Sequence, residues 1–197
     1  YATISDAEAK RQAAQRDREQ RYERLRRYAH VVSGDDIERI VRRKLDSKAW
    51  GVVCDSMKLW RAGKLRFLWL TGLTGRGKTV ACMGALAEVG GVYVTADEVR
   101  RAFAQETDEA RELRFKVRGS RLVLVDDAGT ERDAKKAAQA MQELVNLRQG
   151  RGLVTLITSN LSHADVKKRY DERTIARVMP QGPRAEVQGG AIRRTCG

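Results

Sequence analysis

The sequence predicts an α/β domain of three layers, a mainly parallel sheet with helices on both faces, preceded by a helical segment at the N-terminus. Three observations predict it. Between Leu65 and Thr158, short apolar runs alternate with longer stretches of helical periodicity. The runs are nearly continuous in apolar residues, as strands covered on both faces require. Both prolines, Pro180 and Pro183, fall near the C-terminus, where a regular element must end, so none interrupts the alternation.

The elements follow in order. Residues 5–29 hold neither Pro nor Gly and open with Ser5 and Glu8 at capping-box spacing, which predicts a helix. Its apolar positions (Ala7, Ala14, Tyr22, Leu25, Tyr28) are too sparse for a core of its own, while Asp17–Arg21 and Glu23–Arg27 sit at i,i+4 spacing. It reads either as a solvated arm or as an arm that docks on a protein, a second subunit or nucleic acid. Ser33-Gly34-Asp35-Asp36 breaks the pattern; Ile37, Ile40, Val41 and Leu45, then Trp50, Val53, Met57 and Trp60, recur at helical spacing and face a core. Next come a strand at 65–71, a helix at 78–89, a strand at 91–95, a helix at 96–104, a charged stretch to Gly119, a strand at 121–126, a helix at 133–149 and a strand at 153–158.

A chain of 197 residues supports one full core and not two. Residues 1–47 are read as a charged helical arm with a linking helix, and 48–197 as the α/β core. With 42% apolar and 33% charged residues and a mean hydropathy of −0.54, the composition excludes a membrane protein. Cys54, Cys82 and Cys196 are an odd set at wide spacing with no CxxC pair, and there are two histidines, which argues against a disulfide scaffold or zinc site and for a reduced, cytoplasmic compartment. Residues 1–29 are charged throughout, so no secretory signal is read there. The 39 basic and 26 acidic residues leave a net charge of +13, which favours a polyanionic partner such as nucleic acid, although a merely soluble basic surface would give the same count.

Directly after the first strand stands Gly72-Leu73-Thr74-Gly75-Arg76-Gly77-Lys78-Thr79, a complete GxxxxGK[ST] between strand and helix. Glycines let the backbone approach closely and turn successive N–H groups onto phosphate oxygens, while the following helix adds its positive end. Lys78 would reach the β- and γ-phosphates of ATP, and the Thr79 hydroxyl would ligate Mg²⁺. Gly72, Thr74, Gly75, Arg76, Gly77, Lys78, Thr79 and Val80 are therefore the candidate nucleotide-binding residues.

Leu122-Val123-Leu124-Val125-Asp126-Asp127 is an apolar strand ending in paired carboxylates, on the sheet edge where the phosphate loop lies. Asp126 is the metal-side acid of a Walker B motif, and Asp127 stands where a carboxylate would polarise the attacking water. Residues 153–160 form another apolar strand ending in Asn160, an amide able to hold that water or simply to begin a turn. Arg173 and Arg177 lie at i,i+4 in Asp171–Val178, as a surface pair or as cations acting across a subunit boundary.

Together the phosphate loop, Val125-Asp126-Asp127-Ala128-Gly129-Thr130-Glu131, Ile157-Thr158-Ser159-Asn160-Leu161-Ser162 and the Glu172-Arg173…Arg177 stretch resemble, in order, the motifs of the helicase-loader and transposition ATPases of the DnaC/IstB type, within the AAA+ class. The resemblance runs from about Lys48 to Arg194. It implies a P-loop NTPase core of AAA+ type with a five-stranded sheet, ATP and Mg²⁺ as cofactors, hydrolysis, and a ring or helical homo-oligomer. It also implies DNA and a partner protein, a replicative helicase or a transposase. Asn160 would be sensor 1, Arg177 the arginine finger of a neighbour's site with Arg173 beside it, and the 20 residues after Arg177 predict no C-terminal helical lid. Three positions depart from the pattern. Arg76 replaces a small or apolar residue, Asp127 replaces the commoner Glu, and residues 105–120, where the family places DNA-facing elements, are brief. Their Arg111, Arg114, Lys116 and Arg118 are either DNA-backbone contacts or a solvated face. A small-molecule or nucleotide kinase built on the same phosphate loop is the reading from another class.

Overall fold

The computed structural model describes residues 5–170 and 185–186. Three helices, α1 (Asp6–Arg26), α2 (Gly34–Val41) and α3 (Lys48–Arg61), precede β1 (Phe67–Thr71). Then follow α4 (Lys78–Val89), β2 (Val92–Thr95), α5 (Ala96–Ala104), α6 (Asp108–Gly119), β3 (Leu122–Ala128), α7 (Ala134–Gln149), β4 (Val154–Ser159) and α8 (His163–Arg169), with a two-residue strand, β5 (Ala185–Glu186). All strand pairings are parallel, in the order β2-β3-β4-β1-β5. In parallel strands every carboxyl end points to one edge, so the segments after β1, β3 and β4 meet there.

Successive side chains of a strand point to opposite faces, and the two faces of this sheet carry separate cores. Leu68, Leu70, Leu122, Leu124 and Leu156 pack with α2, α3 and α4. Phe67, Trp69, Val123, Val125 and Ile157 pack with α5, α6, α7, Val166 of α8 and Tyr170, whose ring meets Trp69 edge-on at 5.3 Å. The strands read as nearly continuous apolar runs because both faces are covered. Among the described residues no helix is long and apolar enough to cross a membrane.

The start of α1 shows the expected capping box between Ser5 and Glu8. Its C-terminal end is not solvated: Leu25 is fully buried, Arg24 Nη1 donates to the carbonyls of Ala87 and Glu88 at 2.7 Å, and Arg21 meets Glu88 at 3.4 Å. These contacts fasten it to the C-terminal end of α4. Glu23 pairs with Arg26 at 3.6 Å rather than with Arg27, which lies past the helix end. Three elements differ from expectation, one of them α8, an added helix between the fourth strand and Asp171 that is capped by Ser162. The charged stretch after Ala104 contains α6, capped by Thr107, because Ala110 and Val117 give it one narrow apolar stripe that the surrounding charge obscures. Strand β3 runs on to Ala128, and its register with β4 shifts between Val125 and Ala128, at the two carboxylates.

Buried Arg148 of α7 binds the second layer to the sheet. It donates to Thr155 Oγ1 at 2.7 Å, to the carbonyls of Val154 (2.6 Å) and Ser120 (2.9 Å), and to that of Val117. Its burial pushes the guanidinium down to about 10.

Candidate functional site

Strand β1 delivers the chain into a loop that turns through positive φ at Gly72 (134°), Gly75 (76°) and Gly77 (73°), conformations that side chains resist. Gly77 is the N-cap of α4 and supplies no capping side chain, whereas α1, α2, α3, α5, α6, α7 and α8 are each capped by a Ser, Thr or Asp. Helix α4 is thus the one described helix whose first N–H groups are left for something other than a side chain.

Lys78, the first residue of α4, is 6% exposed. Its Nζ donates to the carbonyls of Gly72 (2.7 Å) and Leu73 (2.9 Å) and to Asn160 Oδ1 (2.9 Å). Burial lowers the pKa of this ammonium, and the charges of Asp127 and Asp126 oppose that fall. Thr79, one residue on, donates its hydroxyl to Asp126 Oδ1 at 2.8 Å. Thr158 Oγ1 donates to the same oxygen, and Tyr93 OH donates to Oδ2 at 3.2 Å. Burial, with Asp126 close by, pushes the Tyr93 phenol above its ordinary range, so it stays a neutral donor.

Asp127 adopts φ +56°, a region that non-glycine residues seldom occupy, and donates its backbone N–H to Thr158 Oγ1 at 3.1 Å. The bulge turns its side chain out of the sheet toward Asn160, whose Nδ2 donates to Asp127 Oδ1 at 3.4 Å. Desolvation and then the neighbouring Asp126 charge raise the Asp127 pKa; Lys78 offsets part of this. Asn160 joins the two charged residues, its carbonyl oxygen on Lys78 and its amide on Asp127.

Thr74, Gly75, Arg76, Gly77, Lys78, Thr79, Val80, Asp126, Asp127 and Asn160 line one cleft of about 940 Å³. Gly72 lies outside its wall but accepts from Lys78. The residues fit a nucleoside polyphosphate with Mg²⁺: a cationic loop stands before an uncapped helix, and Arg76 Nη1 is buried without a hydrogen-bond partner. Thr79 and Asp126 also bring together the oxygen donors that a hard cation shares with phosphates. Among the described residues no cluster of three His, Cys, Asp or Glu could hold a metal by itself.

Arg111, Arg114, Lys116 and Arg118 lie on α6, away from this cleft. Arg111 pairs with Asp108 at 3.0 Å and Lys116 with Glu112 at 2.6 Å. Arg114 donates to the carbonyls of Ala102 and Gln105 and meets Glu106 at 3.0 Å. Arg111, Arg114 and Arg118 line a separate groove of about 630 Å³ with Phe115, which is 78% exposed. Arg173 and Arg177 lie outside the described residues.

Several residues that build the site are not among its sequence candidates. Tyr93 and Thr158 hold Asp126, and Arg27, Tyr28, His30 and Val31 close the cleft from the N-terminal region. Thr158 was a polar residue in an apolar strand, a hint readable in sequence; Tyr28 and Tyr93 offered none. Glu131 ends the second motif string as a buried carboxylate. It accepts from Gly129 N–H (2.9 Å) and Tyr170 OH (2.6 Å) and pairs with Arg169 at 3.4 Å, tying the segment after β3 to the end of α8.

No protein-family model matches the chain, and no curated protein matches it significantly. Solved structures do match. DnaI aligns at 19% identity with a TM-score of 0.60, over 73% of this chain and 87% of that one. The DnaC helicase loader aligns at 17% with a TM-score of 0.57, over 68% and 87%. The replication initiator DnaA, bound to AMPPCP and single-stranded DNA, aligns at 17% with a TM-score of 0.58, over 68% of this chain and 44% of that one. The resemblance read from the motifs thus extends to the tertiary structure: the chain has the α/β fold of the DnaC-type helicase loaders and of the DnaA initiators.

Proposed function

We propose that the protein is an Mg²⁺-dependent ATPase of the AAA+ class that assembles with itself, binds DNA and delivers or regulates a replicative helicase in the cytoplasm. The observation that carries this reading is the convergence of Lys78, Thr79, Asp126, Asp127 and Asn160 at one sheet edge, in one cleft, beside an uncapped α4. The fold shared with DnaC, and with a DnaA that binds AMPPCP and single-stranded DNA, supports the choice of nucleotide and partners. A transposition helper with a transposase partner shares the same ATPase core.

In this proposal the loop N–H groups, Lys78 and Arg76 hold the phosphates, while Thr79 and Asp126 hold Mg²⁺. When bound, Mg²⁺ supplies positive charge against the phosphate oxygens. Asp127 takes the proton of the attacking water. Asn160 steadies that water and, through its bond to Lys78, registers whether the γ-phosphate is present. The core is proposed as residues 48–197 with a five-stranded sheet, and 1–47 as the partner-facing region. Arg177, with Arg173 beside it, reaches a neighbour's site.

Subunit mixing tests this. An arginine finger is worth about 10³–10⁵ in rate. Arg177→Ala should therefore bind ATP but hydrolyse it poorly, and Lys78→Ala should lose productive binding. A mixture should recover activity at interfaces that pair an intact loop with an intact finger. Specific activity that stays constant on dilution, with no recovery on mixing, refutes the oligomeric ATPase; a phosphoryl-acceptor requirement would instead mark a kinase.

A further inference from the structure

Besides the phosphate loop, the turn that follows α1 walls the cleft, through Arg27, Tyr28 and His30. Tyr28 also makes a specific bond. Its phenol oxygen accepts from the backbone N–H of Tyr93 at 3.3 Å, and the two rings lie 5.6 Å apart, tilted by 51°. Tyr93 pairs in register with Leu124, so its side chain shares a sheet face with Asp126, the diagonal neighbour two residues on. From there its hydroxyl reaches Asp126 Oδ2. Thr79 and Thr158 both donate to Oδ1. Tyr93 is therefore the described donor that sets where the second oxygen points.

Mg²⁺ demands near-ideal octahedral geometry, so the orientation of a ligating carboxylate matters as much as its presence, and loss of such an outer partner commonly costs 10–100-fold in metal affinity. The same tyrosine is braced by Tyr28, two residues past the end of α1, and α1 is pinned through Arg24 to the last turn of α4, the helix that begins with Lys78 and Thr79. A path of direct contacts thus runs from the N-terminal helix to the metal-side acid.

We propose that Tyr93 is a positioning residue for Asp126 and that Tyr28 fixes Tyr93, so that seating of α1 and loading of the Mg²⁺–nucleotide are coupled. The inference rests on the nucleotide-site reading above. Coupling of this kind is reciprocal: a loaded site must tighten α1 by the factor by which a seated α1 tightens loading.

The test uses the full chain, AMPPCP as the probe, and wild type beside Tyr93→Phe and Tyr28→Phe. Calorimetric titrations of AMPPCP are run without Mg²⁺ and over a Mg²⁺ series, and amide exchange of residues 22–32 is followed in both states. Tyr93→Phe keeps the ring and removes the hydroxyl. It should raise the Mg²⁺ midpoint at least about tenfold, leave Mg²⁺-free binding nearly unchanged, and abolish the slowing of exchange that loading produces in wild type. Tyr28→Phe should shift both in the same direction by less. An unaltered Mg²⁺ midpoint in Tyr93→Phe, or equal loss of Mg²⁺-free and Mg²⁺-loaded binding, overturns the positioning role. Wild-type exchange that ignores loading overturns the coupling. A wild type that binds no AMPPCP fails at the earlier step and removes the site reading itself.

Discussion

Asp127→Asn should give a protein that is more stable and inactive. In the wild type the Asp127 carboxylate is disfavoured by desolvation and by the charge of Asp126, with Lys78 the smaller opposing influence. Its backbone sits at φ +56°, which asparagine tolerates well. The amide keeps an oxygen to accept from Asn160 and removes the like charge. The side chain stands at the open edge of the cleft, where solvent screens part of the repulsion, so the gain is about 0.5–1 kcal/mol, within the range of single stabilising substitutions. For a chain of this size that raises Tm by about 1–4 °C. The sign of the pH dependence follows from the raised pKa. Wild type holds the favourable, protonated form below the ordinary aspartate value of 3.8 and loses that stability as pH rises through the higher folded value. The gap between variant and wild type should therefore be small at the acid end and open toward neutrality. Thermal melts from the acid limit of folding to pH 7.5, paired with steady-state phosphate release, measure both effects. A variant that melts below wild type at pH 7 refutes the electrostatic reasoning, and one that hydrolyses ATP at the wild-type rate shows that another residue activates the water.

Other outcomes follow from the same geometry. Glu131→Ala leaves Gly129 N–H and the buried Tyr170 OH without their acceptor, while Arg169 keeps its bond to the backbone carbonyl; it should cost about 2–4 kcal/mol and lower Tm by about 4–16 °C, and a loss under 2 °C in thermal unfolding would show that the network is dispensable. DNA binding should weaken with salt, and Arg118→Ala, beside the exposed Phe115, should reduce the log–log salt slope by about 0.7–0.9. Arg114→Ala should instead lower stability with little change of slope, because its guanidinium is spent on the carbonyls of Ala102 and Gln105; filter-binding titrations at several salt concentrations separate the two.

What the sequence by itself determined is whatever rests on near neighbours along the chain. The nearly continuous apolar runs of β1, β3 and β4 pointed to the parallel sheet with two covered faces, and the glycines before Lys78 marked a glycine-rich loop between β1 and α4. The paired Asp126 and Asp127 marked the carboxyl-terminal part of a strand that in fact runs on to Ala128, and the parallel pairing of β3, β4 and β1 was enough to bring it to the edge where the loop lies. Helix α6 escaped because two buried residues in a charged segment make too narrow a stripe to stand above its background. Only the tertiary structure decided how the carboxylates are aimed. The hydroxyl of Tyr93 on Asp126, the phenol oxygen of Tyr28 on Tyr93 and the carboxylate of Glu131 under Tyr170 join residues 33, 65 and 39 positions apart. A hydrogen bond constrains two atoms to within about 3 Å but places no constraint on the length of chain between them, so such partners leave no periodicity or spacing in the sequence. The left-handed backbone of Asp127 belongs with them: it arises where the β3–β4 register slips, a property of the pair of strands and not of either one.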